Sequence, residues 1–424
     1  MVLDTTSQSV STVLFAGAVI HTFLTGWFNR LAEQHPEGSL KENLFHFLGE
    51  IEVVFGIWAA IFCGFLAWHT DFTHSIHFVE GLSFTEPVFV FAIMAVAATR
   101  PVLTAASGFL GGVARMVPLP GMMAECLVLL SAGPLLGSLI TEPAAMTVTA
   151  LLLRDRVLGA QISNKLRYAI LGTLFVNVSI GGVLTPFAAP PVVMVAGKWG
   201  WDTAHMISHF GWRAAVAVVI NAAALTIAFR RELGALRPPG NGIAKKTNHA
   251  PLALVFIHLA FLTAIVAVAH HIVAVVGVFM MFLGVVQITG EYQDRLQVRE
   301  SLLVAFFLAG LVVLGAGQHW WLRPLLAEAN VSTMFWGTTG LTAITDNAAL
   351  TYLAAQVPDL GDAAKYAVVA GAVTGGGLTV IANAPNPAGY SILRDSFPHG
   401  GIKPLSLFVA ALLPTAVAAI LLMP

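Results

Sequence analysis

The sequence predicts an all-α polytopic membrane protein. Of its 424 residues, 57% are hydrophobic and only 10% are charged, whereas soluble domains average about 25% charged residues. Apolar runs close to the roughly 20 residues that span a bilayer recur along the chain. These runs are residues 10–28, 51–67, 252–269, 272–288, 301–317 and 405–423. A β-barrel would instead show short segments of alternating hydrophobicity.

The net charge, the cysteines and the first basic residues limit which partners and processing the chain is expected to have. A formal net charge of −1 offers no basic surface for nucleic acid, so the expected surroundings are the lipid bilayer, and no cofactor is predicted. Cys63 and Cys126 both lie in apolar runs, which is typical of buried thiols. No basic residue precedes the first apolar run, and Arg30 follows it. We therefore expect that run to be a retained helix and not a cleaved signal peptide.

The distribution of Lys and Arg predicts the orientation. With the N-terminus outside, 17 of the 21 basic residues fall on the cytoplasmic side. The other four are Lys198, Arg213, Arg323 and Lys365. This asymmetry is the one that the positive-inside rule describes.

One short phrase occurs twice in apolar surroundings. Residues 141–147 read TEPAAMT and residues 345–351 read TDNAALT, so the carboxylates of Glu142 and Asp346 align at an offset of 204 (346 − 142). A carboxylate at the centre of a bilayer costs roughly 3 kcal/mol even on mild scales, and such residues typically mark ion pathways. The repeated phrase therefore predicts an ion-binding site.

Each acidic phrase is predicted to form the tip of a re-entrant hairpin. From Glu142 to Arg154 there are only about 12 residues, or about 18 Å of helix, which is too short to complete a crossing from mid-bilayer. Pro143 and the upstream pair Gly133 and Pro134 disfavour one continuous helix. The predicted hairpins span about 122–153 and about 331–357.

A second repeat follows each hairpin. Residues 181–191 (GGVLTPFAAPP) align with residues 375–385 (GGGLTVIANAP), with Thr185 and Thr379 matched at an offset of 194 (379 − 185). Glycine pairs followed by prolines cannot hold a regular helix. We therefore predict broken transmembrane helices over about 168–196 and about 363–393. Backbone groups would line the cavity there, contributed by Gly181, Gly182, Gly376 and Gly377.

The two halves of the chain are predicted to form an inverted repeat. On the orientation above, the first hairpin enters from the cytoplasm and the second from outside. The halves would be residues 1–229 and 251–424, joined by a polar cytoplasmic linker over 230–250. Interrupted segments at corresponding positions of two halves point to a transporter's binding site, so we expect the two hairpin tips and the two breaks to meet near the midplane.

This order of elements resembles the ion transporter superfamily, which includes sodium/proton antiporters, arsenite transporters and dicarboxylate symporters. More narrowly, the chain resembles a family of bacterial Na+/H+ antiporters, through residues 47–56 (FLGEIEVVFG) and the two acidic phrases. The resemblance covers essentially the whole chain. It implies a transporter of the bacterial inner membrane and a homodimer formed through the helices outside the hairpins.

The hairpin tips predict the charge of the substrate. Dicarboxylate members of the superfamily carry Ser-Asn-Thr at these tips, whereas two anionic tips would repel a dicarboxylate and attract a cation. We therefore expect cation/proton antiport, with Glu142 and Asp346 as alternating carriers of Na+, or another monovalent cation, and H+. Asp346 is expected to be the more important carrier, because only its tip has an extra amide. Further oxygen ligands are predicted from Thr141, Thr185, Thr345, Asn347, Thr379 and Asn383.

Two other functions remain open from the sequence. The positive N-termini of broken helices could hold an anion, which would indicate a sodium- or proton-coupled transporter of a carboxylate or oxyanion. An intramembrane hydrolase could use Glu142 and Asp346 as a carboxylate pair, but the chain lacks the motifs of such enzymes, and no enzyme is expected. Glu50 and Glu52 open the second apolar run. We expect them to lie at a helix end, with Lys41 or an arginine as partner, and their part in transport is open.

Overall fold

The computed structural model describes residues 3–120, 122–236, 250–397 and 401–424, which are helical with no strand among them. The helices up to the predicted linker are α1 (Thr5–Ala32), α2 (Leu40–Leu48), α3 (Ile51–His69), α4 (Phe72–Glu80), α5 (Thr85–Ala97), α6 (Arg100–Met116), α7 (Met123–Ile140), α8 (Glu142–Leu153), α9 (Asn164–Gly181), α10 (Pro190–Trp199), α11 (Thr203–Met206), α12 (Trp212–Ala228) and α13 (Arg230–Ala235).

The helices after it are α14 (Leu252–Ala267), α15 (Ile272–Ile288), α16 (Val298–Gly315), α17 (His319–Glu328), α18 (Val331–Thr342), α19 (Asn347–Ala355), α20 (Asp362–Gly375), α21 (Asn386–Leu393) and α22 (Pro404–Leu422). Short π-helical turns lie at Arg154–Leu158 and Ile207–Gly211, and 3₁₀ turns at Gly290–Tyr292, Val380–Ala382 and Arg394–Ser396.

Six helical segments in the described part of the chain are long and apolar enough to cross a bilayer. They are α1, α3, α7, the continuous segment Thr203–Ala228, α16 and α22. Helices α4 and α5 together make a seventh candidate that is bent by 63°, and α14 and α15 are shorter apolar helices. Every apolar run named above lies in one of these helices or extends at most two residues past its end. The prediction of an all-α polytopic membrane protein is confirmed.

Helices α3 and α16 form the scaffold beside the predicted site. Gly56 of α3 lies against the Phe306 ring, and Gly310 of α16 lies against the backbone of Phe55, so the two helices approach closely. At their starts, the Arg299 guanidinium donates to the Glu50 carboxylate. Both helices therefore begin at the same end of the molecule and run in the same direction.

Helices α7 and α8 pack side by side in opposite directions. Gly133 of α7 faces Thr149 of α8, and Gly137 faces Ala145, so the chain reverses between Ile140 and Glu142. This is the geometry of a helical hairpin with the first acidic phrase at its turn. Re-entry without crossing the membrane stays a prediction.

The hairpin region is not one continuous helix, as predicted, but the interruption falls at Thr141, and Pro134 lies inside α7 without breaking it. Proline has no N–H with which to bond the carbonyl four residues earlier, which here belongs to Leu130. The Asn177 side chain of α9 replaces that donor, with Nδ2 2.7 Å from the Leu130 oxygen. A tertiary hydrogen bond therefore offsets the local defect.

Both predicted broken spans are interrupted in the structure. Helix α9 ends at Gly181 and α10 begins at Pro190, while α20 ends at Gly375 and α21 begins at Asn386. Helix α20 runs parallel to α18, because Gly371 faces the Phe335 carbonyl and Gly375 faces that of Thr339. Helix α9 is likewise parallel to α7. The two breaks thus lie beside the two acidic turns.

The division into halves stays a prediction. The first residues of the predicted linker, 230–235, form α13. Residues 237–249 lie outside the part of the chain that the structure describes.

We expect Asn177→Ala to lower the free energy of unfolding by about 1–3 kcal/mol, because it leaves the buried Leu130 carbonyl without a donor. In a Pro134→Ala background, residue 134 regains an N–H for that carbonyl, so the same substitution should cost about 1 kcal/mol less. Unfolding in mixed detergent measures all four members of this cycle. Strictly additive effects would contradict the proposed compensation.

Candidate functional site

The turn of the first hairpin is held in a strained backbone conformation. Thr141 has φ 94°, the one positive φ of a non-glycine residue in the described ranges. Such a conformation costs about 1–3 kcal/mol, and residues of this kind cluster at functional sites. The Thr141 hydroxyl is buried and has no hydrogen-bond partner in the described structure. The strained turn therefore places a hydroxyl oxygen without a hydrogen-bond partner at the tip of the hairpin.

Glu142 is completely buried and joins both breaks. Its Oε2 accepts a hydrogen bond of 3.0 Å from Nδ2 of Asn383, in the break between α20 and α21. Its backbone N–H donates to the Ala188 carbonyl at 3.3 Å, in the break between α9 and α10. Its Oε1 has no partner among the described residues. The carboxylate is therefore only half satisfied by the protein.

Gly182 is required by this arrangement. A Cβ at this position would overlap the Glu142 carboxyl group, including its Oε1. Because Oε1 is the unpartnered oxygen, a side chain here would displace the group that is free to bind a ligand.

Asp346 is buried in a different way. Its Oδ1 accepts hydrogen bonds from the backbone N–H groups of Ala348 at 2.8 Å and Ala349 at 3.3 Å, so it caps α19. The following residue, Asn347, is completely buried, and its amide oxygen and nitrogen both lack partners in the part of the chain described. Asn347 Nδ2 faces Gly376.

The contacts define how the two hairpins correspond. The Thr185 hydroxyl donates to the Ser138 carbonyl at 2.6 Å, and the Thr379 hydroxyl donates to the Ala343 carbonyl at 2.9 Å. The threonines differ by 194 (379 − 185) and the carbonyls by 205 (343 − 138). Both threonines therefore fasten a break to the neighbouring hairpin.

The same offset relates Glu142 to Asn347. Gly182 faces Glu142 and Gly376 faces Asn347, with differences of 194 (376 − 182) and 205 (347 − 142). The acidic phrases align at 204, so the residue that corresponds in space to Glu142 is Asn347. Asp346 occupies the cap position one residue earlier. The two carboxylates therefore lie in non-equivalent positions.

The helices that precede the two breaks also meet through equivalent residues. The Ser179 hydroxyl of α9 donates to the Val373 carbonyl of α20 at 2.7 Å, and these positions differ by 194 (373 − 179). Contact between a position and its own counterpart is what a two-fold axis between repeats would produce. This supports the inverted repeat, which stays a prediction.

Several buried polar atoms in the two hairpins and at the second break have no hydrogen-bond partner in the described structure. They include Thr141 Oγ1, Glu142 Oε1, Thr342 Oγ1, Asn347 Oδ1, Thr374 Oγ1, Asn383 Oδ1 and Asn386 Oδ1. Buried polar groups in native proteins normally have partners, so an unpartnered one points to a bound ion, water or function. Hard cations such as Na+ take oxygen ligands of these types.

The other predicted residues play different parts. Thr345 is half-buried and has no side-chain hydrogen bond in the described structure. Gly181 lies against the Pro134 carbonyl, and Gly377 lies against the backbone of Val176. These glycines allow backbone to pack on backbone.

Two residues of the site were missed from the sequence. Asn386 Nδ2 donates to the carbonyls of Gly376 at 2.7 Å and Thr379 at 2.8 Å, which holds the second break closed. The Ser138 hydroxyl donates to the Gly181 carbonyl at 2.7 Å and accepts from the Leu184 N–H at 3.0 Å. Asn386 directly follows the second repeat, and Ser138 lies one helical turn before Glu142. Both positions could have been found by extending the motifs.

Two large cavities approach the site from opposite ends of α5. The Glu86 cavity, of about 420 Å³, is lined by Thr85 and Glu86 at the start of α5 and reaches Phe187 in the first break. The Glu50 cavity, of about 300 Å³, is lined by Ala98 just after α5 and reaches Thr141 at the hairpin turn. The hairpin tip and the breaks therefore separate two vestibules.

The apolar helices, the two interrupted spans and the buried acids define a polytopic membrane transporter. A family model described as "Putative Na+/H+ antiporter" matches residues 6–423, nearly the whole chain, and the protein belongs to this family. No curated protein matches the chain. The family resemblance inferred from the acidic phrases is confirmed, and the protein is an integral membrane transporter and not an enzyme.

Gly182→Ala should displace the Glu142 carboxylate and weaken sodium binding, because the new Cβ would occupy the space of the carboxyl group. Gly112→Ala is the matched control, since a Cβ at Gly112 meets nothing within 4 Å. Removing a helical glycine at such a position stabilises proteins by about 0.4–1 kcal/mol. Calorimetric titration with NaCl and thermal unfolding in detergent compare the two. Equal sodium affinity in both variants would contradict the role given to Gly182.

Proposed function

We propose that the protein exchanges Na+, or another monovalent cation, for H+ by alternating access, with Glu142 and Asp346 as the ion-binding carboxylates. The observation that carries this proposal is the wholly buried Glu142, whose one unpartnered oxygen lies between the two breaks. Thr141, Asn347 and Asn383, in the hairpin tips and the second break, carry further unpartnered oxygens.

Burial of Glu142 makes cation and proton competitors. An ionised carboxylate removed from water is very costly unless it is paired or neutralised. One amide donor from Asn383 is a small fraction of what water would provide. The group therefore needs either a cation or a proton in each state, and a site that exchanges one for the other supports antiport.

The hydrogen bonds stabilise the two carboxylates unequally. Asp346 is already stabilised as an anion by two backbone amides at the start of α19, where the helix dipole also favours negative charge. Glu142 also lies at a helix start, that of α8, but its carboxylate accepts no backbone hydrogen bond and has the Asn383 amide as its single donor in the described structure. We therefore infer that Glu142, and not Asp346, is the main carrier, and that Asp346 contributes negative charge to the shared site.

The cavities support alternating access. The Glu86 cavity ends at the first break and the Glu50 cavity ends at the first hairpin turn and the second break. Movement of the hairpins against α5 and α16 would join one cavity at a time to the carboxylates. Inverted repeats provide such paired conformations in secondary transporters.

We further propose that the Glu50 cavity faces the cytoplasm of a bacterial inner membrane and that the N-terminus lies outside. The asymmetry of 17 basic residues against four supports this orientation. The homodimer stays a prediction.

The described contacts give no support to anion transport. The N-termini of α8 and α19 face the site, and each already carries a carboxylate of the chain, Glu142 and Asp346 respectively. A substrate anion would meet these charges before it met the helix dipoles. Cation exchange is therefore the function that the geometry favours.

Reconstitution into liposomes with an internal pH dye tests the proposal. An imposed sodium gradient should drive proton movement in the wild type, and Glu142→Gln and Asp346→Asn should each reduce it to the level of protein-free liposomes. Asparagine is as good a helix cap as aspartate, so the second variant tests charge and not capping. The control is Asp155→Asn, which replaces an exposed residue directly after the first hairpin. Full activity of both site variants would exclude this mechanism.

The orientation is tested by thiol labelling. After replacement of Cys63 and Cys126 by alanine, Thr203→Cys places a thiol beside the Glu86 cavity and Gln297→Cys places one beside the Glu50 cavity. A membrane-impermeant maleimide should label the Thr203→Cys variant in intact cells and the Gln297→Cys variant only in everted vesicles. The opposite pattern would reverse the topology.

A further inference from the structure

Glu52 connects the Glu50 cavity to Asp346. It lies in the first turn of α3, two residues after Glu50, and lines the Glu50 cavity. It also lines a second, small cavity of about 20 Å³ together with Asp346 and Asn383. Glu52 is thus the one acid shared by the two cavities, which otherwise have only Val304 and Ala384 in common.

The two neighbouring acids of α3 have different surroundings. Glu50 receives a hydrogen bond and an ion pair from Arg299, at the start of α16. Glu52 has no ion pair and no side-chain hydrogen bond among the described residues. It lines the same small cavity as Asp346, whose other walls include Ile51, Val304 and Phe307. The arginine therefore forms its ion pair with Glu50 and not with Glu52.

The small cavity has the composition of a cation site. Two carboxylates that face each other in apolar surroundings repel unless a cation or a proton lies between them. Asn383, 1% exposed, contributes an unpartnered Oδ1 to the same cavity. Its Nδ2 donates to Glu142. Polar side chains therefore lead from Glu52 through Asp346 and Asn383 to Glu142.

We propose that Glu52 is a third ion-binding carboxylate, which passes the cation or proton between the Glu50 cavity and Asp346. This inference rests on the proposed function. It assigns Glu52 a role beyond the end of α3. It also predicts that ion uptake at the face where the Glu50 cavity opens depends on Glu52, whereas uptake at the opposite face does not.

Side-specific kinetics test this role. In everted vesicles, where sodium enters from the Glu50 cavity, Glu52→Gln should raise the apparent KM for Na+ about tenfold, equivalent to about 1.4 kcal/mol, at a nearly unchanged maximal rate. In right-side-out vesicles the KM should stay constant while the maximal rate falls, because ion release through the Glu50 cavity becomes slower. Glu52→Asp should restore much of both values.

Glu50→Gln is the matched control, two residues away on the same helix. It should leave the KM and maximal rate within about twofold of wild type on both faces, because Glu50 is paired with Arg299 and does not line the small cavity that holds Asp346. Thermal unfolding in detergent shows whether each variant folds. A KM raised on both faces by Glu52→Gln would indicate a structural role, and wild-type kinetics would overturn the proposal.

Failure of the proposed function is distinguishable from failure of this inference. If the wild type moves no protons in response to sodium, the antiport proposal fails. Equilibrium binding of radioactive sodium to the purified protein then tests Glu52 alone. Weaker binding by Glu52→Gln than by Glu50→Gln would support the third carboxylate, and equal binding by the two variants would exclude it.

Discussion

The hydrogen bond between Glu142 and Asn383 is the interaction on which the rest of the site depends. It joins the hairpin turn of one half of the chain to the break in the other half, in a place where water cannot assist either group. A buried carboxylate is tolerated only when its surroundings provide donors or a neutralising ion. The breaks after Gly181 and Gly375 make this possible, because they bring backbone groups and the Asn383 amide to mid-protein depth while the flanking helices keep the apolar exterior.

Close packing between helices is maintained by a small number of contacts that local sequence does not reveal. Asn177 shows this most clearly, since its amide serves the Leu130 carbonyl that Pro134 leaves free, and Pro134 alone predicts a break that does not occur. Ser179 similarly ties α9 to α20 through the Val373 carbonyl. Each contact joins residues from different helices, so the cost of a proline or of an unpaired carbonyl can be judged only once its tertiary partner is known.

The fold class and the acidic residues were predictable from the sequence, because each follows from an energetic requirement that can be read from consecutive residues. Apolar runs must span the bilayer, glycine and proline must interrupt helices, and an acid such as Glu142 must have a reason to be buried. Which residue corresponds to Glu142 in the second hairpin was not predictable. Alignment of the two acidic phrases pairs Glu142 with Asp346, whereas the contacts with Gly182 and Gly376 pair Glu142 with Asn347. The difference of one residue arises because α8 begins at its acid and α19 begins one residue after its acid. Sequence patterns do not locate the first residue of a helix that accurately.

That one-residue offset has a consequence for the mechanism. Two equivalent acids would titrate and bind alike, and the site would hold two charges that both require neutralisation. With Asp346 at the cap position, two amides of α19 stabilise its negative charge whichever ion is present. Glu142 has a single amide donor and must therefore be neutralised in every state. In the proposed mechanism, Asp346 therefore contributes negative charge that attracts cations, and Glu142 is the carboxylate that exchanges a cation for a proton.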